Sequence, residues 1–289
     1  MGFSLFSVFG NSEKFYKEAW RFVEGIYVSK PKSAVEKLEE LKAKAELEKN
    51  YPQMLAAIVK KGKVSERFSD SSFVDCLNEL HDCRAQISDS AALALSYFLE
   101  VQMLKTYFSN NRTLIFRRTD LADTVPDDIN EWTKNIFVQK IRDLTLKALE
   151  EPAIKKVEAK SFAPLIVIDE KKNSIGEGAK LYDFIVNEIV ESVVEAYRHT
   201  IPLKDGAMEY LEKMKNEGVE MCILTASEAD YILPALDRLD IRKYFSHVLT
   251  CTELGEYKND GKAYLKTMEL MGGTLDNTVV FEDAYYAVK

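Results

Sequence analysis

The chain has 289 residues, 46% hydrophobic and 30% charged, so it can bury a sizeable core and divide into two domains. Its net charge of −8 is uneven: residues 200–289 carry 10 basic and 16 acidic groups, residues 1–199 carry 29 and 31. Neither part has the basic excess that nucleic-acid binding needs, and no run of ~18 apolar residues implies a membrane span.

The opening MGFSLFSVFG is apolar, but it lacks a basic n-region and its h-region is too short for a signal peptide. Residues 12–160 then read as almost entirely helical. In KPKSAVEKLEELKAKAELEKN, Ser33 and Glu36 have the spacing of a capping box, and Val35, Leu38, Leu41 and Ala45 recur at helical period. Further helices are predicted in FYKEAWRFVEGIY, YPQMLAAIVKKGK, SSFVDCLNELHDC and SAALALSYFLEVQMLKTYF. The next, PDDINEWTKNIFVQKIRDLTLKALEE, is predicted to open at Pro126. Short polar turns between them favour antiparallel packing, and one apolar stripe per helix makes Trp20, Leu38, Leu95, Phe98 and Trp132 core candidates. Cys76, Cys83, Cys222 and Cys251 fit no zinc or redox spacing; buried free thiols and a cytoplasmic, reducing compartment are expected.

PLIVID (164–169) is a short β-type run, followed by the glycine-containing EKKNSIGEGAK and the helical LYDFIVNEIVESVVEAY. From Pro202 the chain alternates helix and strand, the rhythm of a parallel sheet covered by helices. The strands predicted at 221–224 and 279–281 are continuous apolar runs, as strands buried on both faces should be. Ligands of such sheets sit beyond the carboxyl ends of the strands. There CILTAS offers the Thr225 hydroxyl and the amides of Ala226 and Ser227 to a phosphate dianion. Lys258 in GEYKNDGK adds a compact positive charge, and Glu282 and Asp283 in VVFEDA are hard oxygen ligands for Mg²⁺.

In this order and spacing the segments resemble the haloacid dehalogenase-like hydrolases, specifically their phosphatases and β-phosphoglucomutase-like members. ILTAS resembles that family's second motif, Lys258 its third and VVFEDA its fourth, while PLKDGAMEYLEKMKNEG resembles the helix leading into the second. The resemblance implies a Rossmann-like α/β domain that binds Mg²⁺ and a phosphorylated small molecule. One motif is absent: no Asp-x-Asp-x-Thr occurs. RTDLADT holds Asp120 and Asp123 at the wrong spacing, and PLIVIDEKKNS offers Asp169 as a nucleophile but has Lys171 where the second aspartate belongs. A lysine charged at neutral pH does not run the acid/base step that the second aspartate performs.

Residues 12–197 resemble a different family, the helical N-terminal region of bacterial alpha-2-macroglobulin proteins. There an N-R…RT…P-x-DI-x-x-WT block precedes LYDF, and here the blocks are NNRTLIFRRTDLADTVPDDINEWT and KLYDF. That resemblance implies a scaffold with an unidentified protein partner. The expected architecture is an all-α domain over 1–199 followed by an incomplete α/β domain over 200–289. The two resemblances meet near 197–201, as in a fusion.

Overall fold

In the computed structural model, which describes residues 5–119, 125–167, 176 and 178–282, regular structure before residue 217 is helical apart from one antiparallel bridge, Glu158 to Lys180. Contacts divide the chain into two units, Met1–Asn187 and Glu188–Lys289. The first holds α1 (Leu5–Ile26), α2 (Pro31–Leu47), α3 (Tyr51–Ser65), α4 (Ser72–Cys83), α5 (Ser90–Asn110), the single turn α6 (Arg112–Ile115) and α7 (Lys134–Glu150). The boundary between units falls inside α8 (Leu181–His199).

Helix α2 packs between α1 and α3, α3 also packs on α4, and α5 packs on α7. Leu38, Leu41 and Ala45 of the stripe read from sequence are buried on α2, but its first position is Ala34 rather than Val35, which is only partly buried. A second cluster joins Val101 and Leu104 of α5 to Ile115, Ile129, Phe137 and Leu144. The rings of Tyr107, Phe108 and Trp132 lie 5.3 to 5.7 Å from that of Phe137. Leu38, Leu95 and Phe98 are buried as expected. Both tryptophans are half-buried, because an indole N–H needs a polar partner: Trp20 donates to Gln53 Oε1 at 2.6 Å and Trp132 to the Pro126 carbonyl at 2.7 Å.

Three local expectations fail for identifiable reasons. Ser33 does not cap α2, because Pro31 starts the helix at its first turn, where its missing N–H costs nothing. Pro126 does not open α7; Asp128 accepts from the Asn130 amide in a separate 3₁₀ turn, and the helix begins only at Lys134. PLIVID is not a strand over its described part: the amides of Leu165 and Ile166 both donate back to the Phe162 carbonyl, closing a turn that buries Ile166 within the first unit.

The second unit continues with α9 (Ala207–Asn216), β1 (Cys222–Thr225), α10 (Ala229–Arg238), β2 (His247–Thr250), the turn α11 (Cys251–Leu254) and α12 (Lys262–Leu270). β1 and β2 run parallel with Thr225 opposite Thr250, so both strands deliver a threonine to the same carboxyl edge. This is the βαβ unit that the alternation implied, with α10 as crossover. The third strand is not there. Val279, Val280 and Phe281 are 76%, 54% and 79% exposed and belong to no strand. Leaving them unpaired costs little, because the penalty for unpaired backbone applies to buried groups and water solvates these.

Candidate functional site

Thr225 is the last residue of β1, and the chain then runs through exposed Ala226 and Ser227 before α10 begins at Ala229. The Ser227 amide donates to Thr225 Oγ1 at 3.0 Å, so two of the three donors assigned to phosphate engage each other. The helix start is held from its other side, where Glu228 Oε1 accepts from the Thr252 hydroxyl at 2.8 Å. At the end of β2, Thr250 is 1% exposed and forms a full capping box with Glu253. Sequence reasoning passed over that pair, although Thr-x-x-Glu directly after an apolar run is its signature.

Lys258 opens a short 3₁₀ turn after α11 and Glu282 follows the exposed apolar run. The structure brings these two distant residues together: Lys258 Nζ lies 2.7 Å from Glu282 Oε2, and the two side chains are only 15% and 11% exposed. Tyr264 of α12 completes the cluster by donating its hydroxyl to the same Oε2 at 2.9 Å, with its ring centroid 5.7 Å from Lys258 Nζ. Helix α12, which carries Tyr264, packs against β1. An ion pair this shielded is costly to break from one side, since the remaining charge stays desolvated. Sequence gave no sign of Tyr264, which sits in a helix whose pattern is that of an ordinary amphipathic surface.

Asp169 and Asp283 lie outside the described residues. Of the Glu282 carboxylate assigned to Mg²⁺, one oxygen, Oε2, accepts from an ammonium and a phenol. Among the described residues no three His, Cys, Asp or Glu side chains gather as a metal site. The described groups therefore do not assemble a Mg²⁺ site. What the structure does show is a threonine at the carboxyl end of each strand and, separately, the shielded cluster of Lys258, Glu282 and Tyr264.

The segment β1–α10–β2 is a parallel βαβ unit, the building block of an α/β domain. A family model described as haloacid dehalogenase-like hydrolase matches residues 83–288, well over half of the sequence, and the chain belongs to that family. Such hydrolases generally use Mg²⁺. The chain is 26% identical over 154 residues to phosphoglycolate phosphatase 1 of Pseudomonas aeruginosa, covering 47% of this chain and 54% of that one. It is 22% identical over 146 residues to a phosphoglycolate phosphatase of Agrobacterium fabrum, covering 44% and 62%. It is also 30% identical over 84 residues to a phosphorylated carbohydrates phosphatase of Thermotoga maritima, covering 29% and 39%. The chain thus spans about half the length of the curated relatives it matches. No solved structure matches. The family match starts at the end of α4, so it takes in α5, α7 and α8, all within the stretch that resembles a macroglobulin scaffold.

Proposed function

We propose that the chain is part of a phosphatase or phosphomutase of the haloacid dehalogenase type, and that it binds the phosphate of a phosphorylated small molecule without hydrolysing it. The observation that carries this is the family match over 83–288, which the shielded Lys258 ammonium and the threonine that ends β1 support as residue types suited to a phosphate. The phosphatase names of the relatives support the same substrate class. In this reading Thr225 and Lys258 neutralise and orient the phosphate, Ala226 supplies a backbone amide, and Asp283 is the carboxylate left to hold Mg²⁺. Turnover is absent because no Asp-x-Asp-x-Thr supplies an attacking aspartate and its acid/base partner. The protein works in a reducing, cytoplasmic setting.

The helices of the first unit are read as an accessory part of the hydrolase. A family match whose bounds, 83–288, enclose 197–201 favours this over a fusion at that point. The second reading, a non-enzymatic macroglobulin-like scaffold that binds a protein partner, draws on the separate core of the first unit.

The test is hydrolysis of p-nitrophenyl phosphate and of sugar phosphates with Mg²⁺, alongside calorimetric titration with inorganic phosphate. Binding with no turnover above background is expected. Robust turnover lost in Asp169→Asn would overturn the proposal and make Asp169 the nucleophile, whereas turnover lost only in Asp283→Asn would point to a metal-activated water. Absence of phosphate binding would leave the scaffold reading.

A further inference from the structure

The cluster of Lys258, Glu282 and Tyr264 has a consequence for the binding site just described, and the inference rests on that reading. Lys258 is the cation a phosphate would approach, yet its Nζ is 2.7 Å from Glu282 Oε2. A phosphate oxygen and that carboxylate oxygen compete for the same ammonium, and like charges brought against one cation repel each other. Glu282 is in turn held by the Tyr264 hydroxyl at 2.9 Å, from a helix residue whose position is fixed by α12 packing on β1. The Lys258 ammonium also lies 5.7 Å from the centroid of the Tyr264 ring, a second contact that helps hold it in place.

We propose that Glu282 is a displaceable counter-ion, latched onto Lys258 by Tyr264, and that an incoming phosphate must displace it before Lys258 can bind. Tyr264 is then a positioning residue, acting on phosphate only through Glu282. The latch keeps a desolvated lysine neutralised while the site is empty, and it lowers phosphate affinity by the strength of the contact it substitutes. On this account the Glu282 carboxylate opposes the anion rather than recruiting a metal for it.

Two readouts on the full chain separate this from failure of the phosphate reading itself. The first is the rate at which Lys258 is acylated by acetic anhydride, measured by peptide mass spectrometry against exposed lysines as internal reference. The second is affinity for inorganic phosphate by calorimetry. Glu282→Gln is expected to raise both by about tenfold, the order of one lost charge-assisted contact. Tyr264→Phe, which removes one neutral donor, is expected to raise both by roughly three- to fivefold. Lys258→Ala should abolish the phosphate signal, and circular dichroism checks that each variant folds. Unchanged acylation in Glu282→Gln and Tyr264→Phe overturns the latch whether or not phosphate binds. Acylation that rises while phosphate affinity falls also overturns it, because Glu282 would then be orienting Lys258 for the anion. If acylation rises and phosphate binds to none of the proteins, the ion pair stands but its role at a phosphate site is lost.

Discussion

Cys76 and Cys83 show what burial alone does to a titratable group. Their thiols donate to the carbonyls of Ile58 and Leu80, and both are nearly inaccessible. Burial pushes Cys76 from 9.0 up to about 11 and Cys83 up to about 12, because the thiolate would sit unsolvated among apolar side chains. The unfolded chain releases these protons near pH 9 and the folded chain only near 11 to 12. Stability from this source is therefore complete below about pH 9, and each thiol costs about 1.4 kcal/mol per pH unit above it until its folded value is reached. Urea midpoints at pH 8 and pH 10 are expected to fall further apart in the wild type than in a Cys76→Ala/Cys83→Ala variant; equal falls would exclude the linkage. The same burial makes both thiols poor nucleophiles at neutral pH, as the sequence spacing already implied.

At the scale of elements, the approach of α3 to α4 depends on a residue with no side chain. A Cβ built at Gly62 would lie 2.5 Å from Cys76 Sγ and 2.7 Å from Cys76 Cβ. The Cys76 Cβ cannot rotate away, so the helices themselves must separate. Gly62→Ala gains about 1 kcal/mol of helix propensity but loses roughly 1 to 3 kcal/mol to overpacking, and a net loss is expected. The melting temperature of Gly62→Ala should drop, and adding Cys76→Gly should restore part of the loss by reopening the space. A rise in the single variant would mean that the helices give way freely. Between these helices Glu79 of α4 meets Lys42 of α2 and Lys61 of α3, so the same three elements are also tied by half-buried charge.

Across the whole molecule, the two units bury their apolar residues to very different degrees. Helices α3 and α5 each bury eight residues, whereas α9 buries none and both strands but for Thr250 are only partly covered or exposed. A two-stranded sheet gains little from cooperativity, and few buried contacts mean low local opening energy. Amide hydrogen exchange is expected to be slow in α3 and α5 and faster, by at least about tenfold, in β1 and β2. Protection of β1 equal to that of α5 would refute this and would mean that the edge of β1 is covered.

The sequence by itself determined that the first part is helical, that a βαβ alternation follows, and that a threonine, a lysine and paired acids are dealt out in the order of a phosphate-handling family. The first two are properties of periodicity, which local sterics and one-sided burial enforce wherever the chain goes, and the third is a resemblance in motif order. Tertiary structure alone decided which apolar runs become strands. PLIVID and VVF have the composition of strands, but a strand exists only when a neighbour accepts its backbone hydrogen bonds, and neither run has such a neighbour among the described residues. It also decided that Glu282 meets Lys258 and Tyr264, because residues 24 and 18 positions apart in sequence come together only when the chain folds back on itself.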